Sequence, residues 1–319
     1  MGVQEIIKKI QAERERGVTL AYNAEGLVRL QEIMMRYEGE YKLIPWSELE
    51  QRIIDRPRTT SHGTKLAKFD EITRGFKEQQ LIVITGHTKH GKTSFCSFLA
   101  KQLEELNPIF IALEQSAEEI IDYRLSEGYY IPHLFSPDRV ASAVTMEWIE
   151  HRIVEGIAKY NTKLVVIDHL GFIDNYGENR KYARENLAER IGLNVRELKS
   201  IAKRWNVIVV LAVHISQNDE TKLPALHDIK NSSSIAQEAD KVIMVWRENT
   251  KGKHDQPEYT NNVVLSVQAN RQRGNGNIKV VFDIRTGDYY ESDYELSLEK
   301  IAQQEKDADE EFNKFEKRL

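Results

Sequence analysis

Residues 81–102 read LIVITGHTKHGKTSFCSFLAKQ, an apolar run, a glycine-bounded loop and a helical run in unbroken succession. The octapeptide Gly86-His-Thr-Lys-His-Gly-Lys-Thr93 is a complete GxxxxGK(S/T) pattern, and a strand before it with a helix after it is the context that gives the pattern its meaning. Glycines at 86 and 91 let the backbone curl into a nest of N–H groups around phosphate oxygens. The start of the helix adds its partial positive charge. Lys92 is placed to reach the β- and γ-phosphates, and Thr93 to offer its hydroxyl to Mg²⁺. The predicted nucleotide-contacting set is therefore Gly86, His87, Thr88, Lys89, His90, Gly91, Lys92, Thr93 and Ser94, with ATP or another NTP or dNTP and Mg²⁺ as ligands. His87 and His90 fall in the variable positions of the loop and are given no catalytic role. Cys96 reads as a buried small residue, not a reactive thiol.

Working outward, short β-rich runs alternate with helical stretches from about Lys65 to Glu291. The runs are Leu81–Thr85, Ile109–Leu113, Leu164–Ile167, Val207–Val213, Val242–Val245, Val263–Val267 and Ile278–Phe282. Nearly continuous apolar runs such as LVVI and VIVVLAV are what strands covered on both faces look like. Their alternation with helices predicts an α/β fold with a mainly parallel sheet flanked by helices. The clearest helix runs from Arg184 to Trp205. The strand Leu164–Ile167 leads into Asp168, where a carboxylate can hold the Mg²⁺ shell. The strand at 109–113 leads into Glu114, which fits either a general base at the sheet edge or an ordinary solvated strand-end glutamate.

The rest of the chain bounds the answer. It has 319 residues, 40% of them hydrophobic and 30% charged, an ordinary globular composition. One cysteine excludes an internal disulfide and a cysteine-based zinc cluster. No apolar run approaches the roughly 20 residues that cross a bilayer, and the first 20 residues show no signal-peptide core; a cytosolic protein without membrane contact is expected. The net charge of −5 resides in the stretch 291–319, where ten acids face five bases, so the body is neutral and any nucleic-acid site must come from local loops. Three regions follow: a helical N-terminal extension and linker helix at 1–60, a motor domain at 61–291, and an acidic tail at 292–319. Within the first, Ile6, Ile7 and Ile10 form one stripe and Leu27, Leu30, Ile33 and Met34 another. Ser47 and Glu50 make a capping-box pattern opening a helix over Leu49, Ile53 and Ile54.

The ordered motifs carry a resemblance. GTKLAKFDEITRGFKEQQLIVITG, GHTKHGKT, IALEQ, LVVIDHLGFI, VIVVLAVHISQ, DIKNSSSIAQEADKVIMVWRE and VQANRQRGNGNIKV succeed one another over about 61–290. The series resembles the RecA-like P-loop motor domain of DnaB-type ring helicases, nearer the phage and mitochondrial branch because a histidine ends the VIVVLAV strand. The resemblance implies that Glu114 is the catalytic base, Asp168 the Mg²⁺-side carboxylate and His214 the γ-phosphate sensor, with Gln217 as the rival for that last role. It implies arginine fingers at Arg271 and Arg273 reaching a neighbouring subunit, against the plainer reading of a solvated basic turn or a DNA contact. It also implies DNA-binding loops facing a central channel.

Those loops can be read from the residues too. Asn175–Arg184 mixes Tyr176 and Tyr182 with Arg180, Lys181 and Arg184, which suits backbone contacts and base stacking but equally an ordinary solvated turn. A second candidate runs from Gln217 through Lys222 to Lys230, Asn231, Ser232 and Ser233, whose short polar side chains suit sequence-blind phosphate contacts. The expected activity is that of an NTP-driven, ring-forming replicative DNA helicase moving 5′ to 3′ on single-stranded DNA as a hexamer, with primase, loader or polymerase as possible partners, in a cytoplasm or at a nucleoid. Its rivals are a RecA-like recombination or regulatory ATPase that does not unwind, and a non-catalytic nucleotide-binding accessory or loader component. The N-terminal 60 residues match no primase or zinc module. The linker helix at Trp46–Ile54 is expected either to dock on an adjacent subunit or to pack on its own motor.

Overall fold

The computed structural model describes residues 43–55, 60–141, 144–169, 187–214, 223–224, 232–251, 257–271 and 274–291, together with Met35. Expectations for Arg180, Lys181, Arg184, Gln217, Lys222, Lys230, Asn231 and Arg273 lie outside these residues, as do the stripes at Ile6–Ile10 and Leu27–Met34 and the tail at 292–319; Ser232 and Ser233 are described only through their backbone. The chain divides into two compact units, Met1–Arg58 and Thr59–Leu319.

In the first unit, helix α1 spans Trp46–Asp55. Its first turn is closed by Glu48 and Leu49 N–H groups donating to the Pro45 carbonyl, at 3.0 and 3.2 Å. Ser47 therefore lies inside the helix and not at its cap, so the predicted capping box does not form there. Proline at that point costs nothing, because its missing N–H would be an orphan at a helix start anyway. Trp46, Leu49, Ile53 and Ile54 are all exposed.

The second unit is one eight-stranded sheet. Along the chain run α2 (Ala67–Thr73), β1 (Leu81–Gly86), α3 (Lys92–Gln102), a 3₁₀ turn (Glu104–Leu106), β2 (Ile109–Ala112), α4 (Ala117–Ser126), α5 (Met146–Tyr160), β3 (Leu164–Asp168) and α6 (Leu187–Arg204). Then come β4 (Ile208–His214), α7 (Ser232–Glu238), β5 (Lys241–Lys251), β6 (Pro257–Asn270), β7 (Gly276–Asp283) and β8 (Asp288–Glu291). The spatial order is β2-β3-β4-β1-β5-β6-β7-β8. The first five in that order are parallel, and β6, β7 and β8 add antiparallel strands beside β5.

Strand alternation divides the core into two layers. On one face Ile82 and Ile84 pack with Phe95, Phe98 and Leu99 of α3; on the other Leu81 and Val83 pack with Ile149 and Ile153 of α5 and with Val195, Leu198 and Ile201 of α6. Every residue of β1 is buried, which is why its sequence shows no polar alternation. No described helix is long and apolar enough to cross a membrane.

Strand β8 has no signature in the sequence. Its residues, DYYE, are too polar to announce a strand, yet Tyr289 is buried against Phe95, Phe98 and Phe282 with ring centroids 5.4, 5.1 and 4.7 Å away. Glu291, at its end, accepts hydrogen bonds from the N–H groups of Lys68 and Phe69 at 2.5 and 3.2 Å. It thus satisfies donors that the start of α2 would leave unpaired.

Candidate functional site

The parallel strands deliver the functional groups to one sheet edge. Gly86 pairs with His214 at the ends of β1 and β4, Asp168 with Ala212 at the end of β3, and Ala112 of β2 with Asp168. Glu114 follows β2 by two residues, so it joins the same edge, where ligands gather in open α/β sheets. Glycine is required at 86 for a reason the motif alone does not give: an added Cβ would lie 2.3 Å from the Val245 carbonyl oxygen of β5. Gly91 has φ 91° as it turns the loop into α3, a conformation that glycine adopts without strain.

Inside this loop the Lys92 ammonium is buried and donates to the His87 carbonyl at 2.8 Å. Burial lowers its pKa to about 8, against the partial support of Glu114 and Asp168. A phosphate placed against it would favour the charged form. The Thr93 hydroxyl donates to Asp168 Oδ2 at 2.7 Å. Asp168 is buried, which raises its carboxyl pKa, and the Thr93 hydrogen bond opposes the rise. A hydroxyl and a carboxylate in contact are a hard all-oxygen donor pair of the kind Mg²⁺ takes beside substrate phosphates. The pair therefore fits that ion, whose bound charge would polarise the phosphoryl oxygens.

Across the cleft, the Glu114 carboxylate lies 3.1 Å from His214 Nε2. His214 Nδ1 makes a longer contact, 3.5 Å, with the Thr88 hydroxyl of the loop. The imidazole thus spans from the loop to the carboxylate. Next to it stands His169, its ring edge-on to His214 at 4.5 Å. His169 has φ 93°, a left-handed conformation that costs a non-glycine residue about 1–3 kcal/mol and is found where surrounding structure enforces it. Burial lowers its pKa, helped by His214.

A cleft of about 510 Å³, within the range that holds small ligands, takes in Lys92, Thr93, Glu114 and His214, with Asp168 and His169 behind its lining. Its wall includes Thr88, Lys89, Lys92, Thr93, Glu114 and His214, and Ser94 lies on it as well. Its wall also includes Tyr123, Arg124, Tyr129, Arg247, Phe282 and Ile284. The sequence reading missed these last residues, because they come from separate elements and share no spacing. Their aromatic and cationic character was the one available clue.

His87 and His90 do not line the cleft. Both are buried, ring to ring at 5.2 Å, and His90 Nδ1 accepts the Arg247 backbone N–H at 3.0 Å. Burial, with the nearby His87 and Lys92, lowers the His90 pKa from 6.5 to about 4. His90 therefore stays neutral in the folded chain at pH values where the unfolded chain takes up a proton. Its contribution to stability is complete above about pH 6.5 and is lost as the pH falls towards 4. Thermal unfolding of the parent chain should fall more steeply over that window than that of His90→Asn, whose amide oxygen can accept the same N–H. Parallel slopes would remove His90 as the responsible group.

The family model for the DnaB-like helicase C-terminal domain matches residues 62–133 and 137–291. The chain belongs to this family. The replicative DNA helicase DnaB of Mycoplasma genitalium is 28% identical over 257 residues, covering 70% of this chain and 54% of that protein. The replicative DNA helicase DnaC of Bacillus subtilis is 24% identical over 257 residues, covering 70% and 56%. The chain thus spans about half the length of these relatives. Two solved structures share the fold. One is an ATPase domain, with TM-score 0.61 at 17% identity over 78% of this chain and 97% of that one. The other is a DnaB-like replicative helicase described with its interactions with primase, with TM-score 0.62 at 18% identity over 90% and 73%. The expected RecA-like core with flanking helices is the fold of this DnaB-like domain.

Arg271 is not at this cleft. Its backbone N–H donates to the Asp240 carbonyl at 3.0 Å and its guanidinium to the Gln237 carbonyl. Asn270 pairs with Lys241 at the start of β5, which in turn pairs with Ile82 at the start of β1. Arg271 thus sits at the opposite end of the sheet from Gly86, about 17 Å away along a six-residue strand.

Proposed function

We propose that this DnaB-like chain is the ATP-hydrolysing motor of a ring-forming replicative DNA helicase. The observation that carries the reading is the split between its two ends. Lys92, Thr93, Asp168, Glu114 and His214 gather at one end of the sheet, whereas Arg271 stands at the other, too far to act on its own subunit's nucleotide, which suits a finger directed at a neighbour's site. A site completed by its neighbour couples hydrolysis to assembly, which a ring that passes a strand from subunit to subunit requires.

In the proposed reaction Lys92 binds the β- and γ-phosphate oxygens, and Thr93 and Asp168 hold Mg²⁺. Glu114 takes a proton from water as the water oxygen bonds to the γ-phosphorus. The bond from that phosphorus to the β–γ bridging oxygen breaks, and its electron pair leaves with ADP. His214, touching both Glu114 and Thr88, couples the state of the γ-phosphate to the chain that follows β4. Arg271, with Arg273, offsets the charge developing on a neighbour's transferred phosphoryl group. The segments around Arg180, Lys181 and Arg184 and from Lys222 to Ser233 would contact single-stranded DNA. A hexamer, 5′ to 3′ movement and primase, loader or polymerase partners in a cytoplasm complete the proposal. The relatives' names support a role in DNA replication, and the primase interactions of the solved helicase support a primase partner.

The test is ATP-dependent unwinding of a forked DNA duplex by the purified chain. Strand separation that disappears in Lys92→Ala is the expected result; hydrolysis stimulated by single strands without any unwinding would favour the recombination-type ATPase. The exposed stripe of α1 suits docking on an adjacent subunit. Removal of residues 1–60 should accordingly shift light scattering towards monomers, and an unchanged ring would sink that role.

A further inference from the structure

Glu114, His169 and His214 each offer one ligand atom, and these atoms lie within 4.8 Å of one another. We propose that these three residues form a site for a borderline divalent transition ion, Zn²⁺ foremost, which arrests hydrolysis by occupying the carboxylate of Glu114. The donor set is two imidazoles and one carboxylate, the composition of three-ligand zinc sites that keep a fourth position open. It differs in kind from the oxygen pair Thr93 and Asp168 nearby. Imidazole nitrogens favour Zn²⁺ and its neighbours over Mg²⁺, so two cations can be sorted at one sheet edge.

The geometry needs little adjustment. Tetrahedral bonds of about 2.1 Å place donor atoms about 3.4 Å apart. The Glu114–His214 pair is already at 3.1 Å, and the His169 donor atom lies within 4.8 Å of both. His214 comes with an orienting contact, since Nδ1 faces the Thr88 hydroxyl while Nε2 faces the carboxylate. Such outer contacts fix the tautomer of a ligating histidine. His169, held at φ 93°, has no part in the proposed hydrolysis, and the metal site gives its placement a use. The arrest rests on reading Glu114 as the base: an ion in place of the proton between Glu114 and His214 draws charge from the carboxylate and lowers its basicity, so it no longer takes a proton from water. Lys92 and Thr93 are untouched, so nucleotide should bind and remain unhydrolysed.

The experiment titrates Co²⁺ into the nucleotide-free full chain and reads visible absorption, then measures Mg²⁺-dependent hydrolysis with and without Zn²⁺. The discriminating variant is His169→Asn, because asparagine tolerates positive φ and the residue is outside the proposed catalytic machinery. The parent chain should give the intense bands of four-coordinate Co²⁺. In the variant, Co²⁺ affinity should fall by about 100-fold or more, the upper end of what even an outer partner costs, with hydrolysis in Mg²⁺ alone unchanged. Zn²⁺ should lower kcat of the parent chain without raising KM, a chelator should restore it, and the variant should resist. Absent bands, equal Co²⁺ affinity in both chains, or equal Zn²⁺ sensitivity would overturn the proposal. Bands lost in the variant with hydrolysis indifferent to Zn²⁺ would overturn the arrest, and a Glu114→Gln chain of normal turnover would then trace that failure to the assignment of the base.

Discussion

Arg271→Ala should bind ATP as the parent chain does and hydrolyse it about 10³-fold more slowly, the scale on which an arginine finger acts. Nucleotide affinity is set by Lys92 and the loop, the length of β1 away. Truncation removes one exposed contact to the Gln237 carbonyl, while the backbone hydrogen bond to Asp240 keeps the end of β6 in register. Loss of fold is therefore not the expected cause, and an unchanged unfolding midpoint would show it. The decisive measurement mixes subunits. Arg271→Ala retains an intact cleft, Lys92→Ala retains an intact finger, and a junction between the two has one of each. Mixed rings should recover activity that neither variant shows alone. Absence of recovery, with co-assembly established by mass, would place Arg271 outside catalysis.

That spatial split could not be read from the chain. The loop at 86–93 was legible because a motif, an apolar run and a helical run agree over a short stretch, and all of that chemistry is local. Asp168 and Glu114 were legible as carboxylates following apolar runs, and the parallel register then fixes where such ends meet. Arg271 follows an apolar run in the same way, yet β6 is antiparallel, so its end lies at the opposite edge. Nothing in VVLSVQ states its direction. Strand β8 escaped because one buried tyrosine holds it, and the capping box failed because Pro45 offered the helix an earlier start. His169 escaped for another reason. A lone histidine after an aspartate has no pattern, and its meaning comes from a left-handed backbone and a ring contact with a residue 45 positions on.

Glu114→Gln should leave nucleotide affinity and assembly intact and lower turnover by about 10²-fold or more, the range expected when a positioned general base is lost. The amide has the carboxylate's shape, so it can keep a hydrogen bond to His214 Nε2 across the 3.1 Å gap. It cannot accept a proton from water. Asp168, a second carboxylate at this edge, is poorly placed to substitute: it is buried and takes the Thr93 hydroxyl at 2.7 Å, in the pair that suits the metal. Glu114 by contrast is exposed to the cleft, where water can reach it. A single-turnover measurement separates the alternatives. Slow γ-phosphate release with normal binding assigns the proton to Glu114, whereas a rate near that of the parent chain would make the carboxylate a partner of His214 alone and require the base to come from elsewhere.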